Sequence, residues 1–130
     1  MTVNVALALA FLVVSAPLLD AHHSVSVNFD QSREVTIVGV LTEVEWRNPH
    51  AHFRVDVVEG GDTVEYLVEM GAVNTMKRAG FPLERFVVGS RLTLIGHPSR
   101  GRDRAMILRE TVLADGTRLT PEMRERTPAP

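Results

Sequence analysis

Apolar and polar residues alternate through Ala51 to Val58 and again through Thr63 to Met70, and a long β-branched stretch from Glu34 to Trp46 precedes them. The only strong helical spacing, Val73 to Ala79, follows the third of these segments. Together they predict an all-β chain: a small five-stranded OB-like antiparallel barrel with one short helix between strands 3 and 4. Closure of such a barrel also protects the strand edges. An open antiparallel sandwich would use the same strands but gives the helix no particular place between its sheets.

The elements follow in order. Val25 to Asp30 has few punctuators and reads as an arm that pairs loosely at an edge, and Gln31-Ser32-Arg33 is a polar turn. In the first strand the apolar parity changes near Gly39, from Val35 and Ile37 to Val40, Val44 and Trp46, so a bulge or bend is expected at Gly39. Asn48-Pro49 turns the chain, since the proline ring fixes φ and removes a donor. Strand two then buries Phe53, Val55 and Val57 and exposes His52, Arg54 and Asp56. Glu59-Gly60-Gly61-Asp62 is a hairpin turn into strand three, with Val64, Tyr66, Val68 and Met70 on one face. Lys77 and Arg78 suit the C-terminal end of the short helix, and Gly80 suits the residue just beyond it. Leu83 to Val88 is a connector, Arg91 to Gly96 is strand four, and His97 to Asp103 is a polar loop. Strand five runs from about Ala105 to Leu113 before the Asp115-Gly116 turn, and the Pro-rich charged tail from Thr120 is expected to be disordered.

Composition narrows the function. A chain of 130 residues fits one domain and can bury a core without staples. It has no Cys, so disulfides, thiolate metal sites and Cys nucleophiles are excluded. With 14 Lys plus Arg against 16 Asp plus Glu, one Trp and one Tyr, no nucleic-acid partner is expected. Val5 to Val14 is uninterrupted apolar, shorter than the roughly 20 residues of a membrane span, and reads as a signal-peptide core. The expected organisation is a signal peptide over 1–21, a barrel domain over 22–119 and a tail over 120–130. That makes the protein periplasmic or secreted, with no stable membrane span once the leader is cleaved. An uncleaved anchor or a buried N-terminal helix is the alternative.

A leader ending Ala21-His22-His23-Ser24 is followed by Val44-Glu45-Trp46-Arg47-Asn48-Pro49-His50, then by Glu69-Met70-Gly71 ahead of a short helix ending near Gly80-Phe81. With Gly89, Gly96-His97-Pro98 and Ala114-Asp115-Gly116, this pattern resembles a bacterial family of small exported proteins, domain of unknown function 6152, over nearly all of the mature chain. The resemblance implies secretion and a β-rich single domain. It carries no catalytic residues across.

The residues with the most chemistry are four histidines in two pairs, His22 with His23 at the mature terminus and His50 with His52 beside the bend. Residues two apart on a strand share a face, and His-only coordination suits copper, with zinc or nickel as alternatives. A free N-terminal amine at His22 adds a further donor. The plainer readings are a frayed terminus, a His50 that hydrogen-bonds the bend and a solvated His52. Trp46 reads as core packing, or as a stacking platform beside Asn48 for a ligand. His97 reads as a turn residue. Glu45 and Glu69 form a weak carboxylate pair, and Arg100, Arg102 and Arg104 read as a charged edge or as an anion site. No nucleophile elbow, phosphate loop, dinucleotide fingerprint or metalloprotease helix occurs. The expectation is therefore a binding module without catalysis, for a metal ion or, alternatively, for an envelope protein or glycan held by the Trp46 hairpin. A copper-dependent redox enzyme ranks third.

Overall fold

The computed structural model describes residues 21–121, with side chains described from Val25 onward. The expected leader, apart from Ala21, and the expected tail beyond Pro121 lie outside the described residues. Five strands make the body: β1 (Val35–Glu45), β2 (His52–Glu59), β3 (Asp62–Glu69), β4 (Arg91–Pro98) and β5 (Ala105–Val112). They pair in the order β3-β2-β1-β4-β5, and β5 returns to β3, so the sheet closes. A two-residue β6 (Arg118–Leu119) adds to β5. This order, with a helix between β3 and β4, is that of an OB barrel.

The barrel is mixed rather than wholly antiparallel. β3 and β5 run parallel over Leu67 to Glu69 and Ala105 to Ile107, whereas the other four pairings that close the barrel are antiparallel. The reason is parity, because an odd number of strands cannot close with every neighbour reversed. The change of face in β1 also lies further along than its sequence pattern indicates. Ile37 and Leu41 both point into the core, and the register shift falls between Leu41 and Glu43, where Thr42 bulges and its hydroxyl donates to the Arg54 carbonyl at 3.0 Å. Gly39 has a different role. A Cβ there would lie 2.4 Å from the Asp56 carbonyl oxygen, so its bare backbone lets β2 approach.

β2 and β3 form a tight hairpin over Gly60 and Gly61, both at positive φ (58° and 92°), which glycine adopts without a steric cost. Phe53, Val55, Val68, Met70, Leu94 and Met106 are fully buried inside the barrel. One end is plugged by a short helix, α2 (Val73–Arg78), which buries Val73 and Met76. Its C-terminus closes as a Schellman motif, with the Gly80 amide donating to the Lys77 carbonyl at 3.1 Å and the Phe81 amide to the Met76 carbonyl at 3.0 Å. Phe81 is itself in the core.

Before β1, the expected arm is a helix, α1 (Ala21–Asn28), followed by a single bridge from buried Phe29 to Ser99. Its sequence has no apolar stripe and no charge in its end turns, so the helical signals used on sequence are absent. Two backbone bonds fasten its exit to the start of the β4–β5 loop: the Asp30 amide to the Pro98 carbonyl at 2.9 Å, and the Arg100 amide to the Asn28 carbonyl at 2.8 Å.

Candidate functional site

The β1–β2 bend is built inward. Trp46 stands edge-on to Phe53 and Phe86, with ring centroids 5.3 and 5.8 Å away, and those two phenylalanines stack at 4.8 Å. The Asn48–Pro49 peptide is cis. The Asn48 side-chain oxygen accepts from the Asn74 amide at 3.2 Å. Asn74 lies in the first turn of α2, whose own N-cap, Ala72, has no side chain able to cap. Ala51 then exchanges backbone bonds with the next segment, donating to the Gly71 carbonyl at 3.2 Å and accepting from the Met70 amide at 2.9 Å. The segments Val44 to His50 and Glu69 to Gly71 are thus locked together at the plugged end of the barrel. Trp46 and Asn48, both candidate ligand residues on sequence, are fastened to the protein itself.

His50 and His52 take different partners. His50, half-buried, sets Nδ1 3.4 Å from the Met70 carbonyl oxygen. A carbonyl only accepts, so this contact places the proton on Nδ1 and leaves a lone pair on Nε2. His52 sets Nδ1 3.4 Å from an Arg47 guanidinium nitrogen. Arginine only donates, so the His52 proton sits on Nε2, which faces Glu69 across the β2–β3 pair at 4.0 Å. One ring presents an acceptor, the other a donor. His97 is a strand residue of β4 rather than part of a loop, paired with Ile107, and its Nδ1 lies 2.7 Å from the Arg33 carbonyl oxygen. Backbone positions of His22 and His23 fall in α1, but their side chains lie outside those described. Among the described residues no three His, Cys, Asp or Glu side chains are grouped to hold a metal ion.

A second feature lies on the outer face of β1–β3. Glu43, Glu45, Arg47, His52, Arg54, Leu67, Glu69 and Arg102 line a hollow of about 200 Å³. Most of its charges are matched: Arg47 with Glu45 at 3.1 Å, and Arg54 with Glu43 at 3.2 Å and Glu65 at 2.6 Å. The hydrogen bond and charge of Glu65 raise the Arg54 pKa above its ordinary value. The arginine run belongs to the loop before β5, not to a strand edge as alternation suggested, apart from its last member adjoining β5. Arg100 pairs with Asp30 at 3.3 Å and Arg104 with Glu59 at 3.4 Å. Arg102 makes no ion pair among the described residues. No local pattern indicates that it shares a groove with Glu69, because the β3–β5 closure that brings them together there is a contact between distant segments.

Fold and site together define a small OB barrel with a bonded hairpin end and a charged outer groove. The chain belongs to the family of unknown function DUF6152, whose profile matches residues 10–107. No curated protein matches it. Among solved structures it is similar to the mitochondrial single-stranded DNA binding protein Rim1 of S. cerevisiae, with 10% identity over 63% of this chain and 93% of that one, at a TM-score of 0.47. It is also similar to a ZRD-deleted mutant of TiaS in complex with agmatine, with 16% identity over 72% of this chain and a TM-score of 0.49. This chain spans only 28% of the TiaS chain.

Proposed function

We propose that this protein is an exported binding module, periplasmic or secreted, that has no catalysis of its own and holds a transition metal ion, copper first, through His50. The observation carrying this reading is the Met70 carbonyl 3.4 Å from His50 Nδ1. Metal-binding imidazoles commonly donate their other ring N–H to a carbonyl or carboxylate, which fixes the ring and leaves its lone pair for the metal. His52 is set the opposite way by Arg47 and is a poor first ligand. The remaining donors in this reading are His22, His23 and the amine freed by leader cleavage, a nitrogen-rich set that suits copper, with zinc or nickel next. The alternative, a protein or glycan partner recognised by the Trp46 hairpin, draws less support because the Trp46 ring already packs on Phe53 and Phe86.

Calorimetric titration of the exported, leader-processed protein with copper(II) and zinc(II) tests this. His50→Ala is expected to abolish saturable binding while His52→Ala keeps it. No saturable binding by the wild-type protein, or undiminished binding by His50→Ala, rejects the metal site. N-terminal sequencing of the same sample is expected to begin at or next to His22, and retention of Met1 removes the terminal donor.

A further inference from the structure

The outer groove has unmet valences of definite kind. Arg47 and Arg54 are occupied by Glu45, Glu43 and Glu65, which leaves three polar groups facing the same space. Arg102 is a guanidinium with no carboxylate partner among the described residues. Glu69 faces His52 Nε2 at 4.0 Å, beyond hydrogen-bond reach. The His52 Nε2–H, fixed by the arginine behind the ring, is a donor with no acceptor in hydrogen-bond range among the described residues. Half-buried Leu67 supplies an apolar patch beside them.

The loop carrying Arg102 is held in place. Arg100 is tied to Asp30 and Arg104 to Glu59 on either side of it, and the Ser99 amide donates to the Ala105 carbonyl at 2.8 Å. Glu69 and Arg102 also line an adjoining hollow with Val27, Asn28 and Phe29, so the two hollows have Glu69 and Arg102 in common. Drug-sized ligands fill roughly 300–1,000 Å³, and a hollow of about 200 Å³ suits something smaller.

From this geometry we infer a second binding site, distinct from His50, for a small zwitterion of the α-amino-acid class. Its carboxylate pairs with Arg102 and accepts from His52 Nε2–H. Its ammonium group pairs with Glu69, and its side chain lies against Leu67. Guanidinium and carboxylate form charge-assisted hydrogen bonds of the strong kind, and the lining as a whole sets Arg47, Arg54 and Arg102 against Glu43, Glu45 and Glu69, a balance that a ligand without net charge leaves unchanged.

The test is chemical-shift perturbation of the full chain with the proteinogenic L-amino acids, each titrated separately. At least one is expected to bind saturably and to move the amides of Leu67, Glu69 and Arg102. Arg102→Ala and Glu69→Gln are each expected to weaken that binding by about tenfold or more, which is a loss of one charge-assisted pair. Blocking the amine by N-acetylation, or the carboxylate as a methyl ester, is expected to do the same to the ligand. His50→Ala is expected to bind as the wild type does, so failure of the metal reading leaves this one standing. The site is rejected if no amino acid saturates, if Arg102→Ala binds like the wild type, or if the blocked derivatives bind as well as the free ligand.

Discussion

The hairpin end and the outer groove use polar residues in opposite ways. At the hairpin end the side chains conspicuous in the sequence are spent on the fold: Trp46 on two phenylalanines, Asn48 on the first turn of α2 and His50 Nδ1 on the Met70 carbonyl. In the groove, charged residues are left incompletely paired among the described residues: Arg102 makes no ion pair, and Glu69 faces only His52 Nε2, at 4.0 Å. The difference teaches that residues rare in the composition serve the architecture here, whereas tertiary closure brings charged groups to one groove without pairing all of them. His50 and His52 belong to both descriptions, since each ring is bonded at Nδ1 and leaves Nε2 without a hydrogen-bond partner among the described residues.

Removing a piece of the hairpin end is therefore expected to cost stability and spare the groove. The largest effect is expected from Trp46→Ala. Truncating a buried Trp costs about 3–5 kcal/mol. Trp46 is half-buried but loses two edge-to-face contacts, so about 2 kcal/mol is expected, read as a lower urea midpoint with an unchanged slope. Asn48→Ala is expected to cost less, about 1 kcal/mol, the usual loss on removing an N-terminal helix cap. An Asn48→Ala protein as stable as wild type would mean that the bond to Asn74 adds nothing and that Asn48 is free for another role.

Much of the architecture was legible because it rests on local signals. The alternation of Phe53, Val55 and Val57, the Gly60-Gly61 turn and the short helix before Gly80 are read within a few residues, and with the other apolar runs they place all five barrel strands and the plug. What was not legible depends on contacts between distant segments. The β1 bulge falls at Thr42, beyond Gly39, where the pairing with β2 shifts register, and α1 lacks the stripe that reveals a helix. The histidines show the limit most sharply. His50 and His52 look equivalent by spacing, yet one proton position is set by a carbonyl from Met70 and the other by a guanidinium from Arg47. No periodicity encodes that distinction.

The smallest expected effect sharpens the comparison from the groove side. The Arg102 loop is moored by Arg100 to Asp30, whose carboxyl pKa is held below the ordinary 3.8, first by the Ser32 hydroxyl at 2.7 Å, with burial next and opposing it, and then by the Ser32 amide and the charges of Arg100 and Arg33. A carboxyl whose folded pKa is lowered contributes stability that is present above its unfolded value and lost as pH falls through the folded one. Acidification below pH 3.8 is thus expected to loosen the mooring. Asp115, lowered in the same direction by Thr117 and Arg85 at the β5–β6 turn, loses its contribution over the same range, so total stability alone cannot separate the two. Amide exchange can. The Arg100 amide, bonded to the Asn28 carbonyl, is expected to exchange faster at acid pH relative to intrinsic rates, and Asp30→Asn is expected to remove that pH dependence, while the Ala51 and Met70 amides at the hairpin end keep their protection in both proteins. Equal acid loosening of Arg100 and Ala51 would mean that the loop and the barrel end open as one unit, and the division between a bonded end and a separately moored groove would fall.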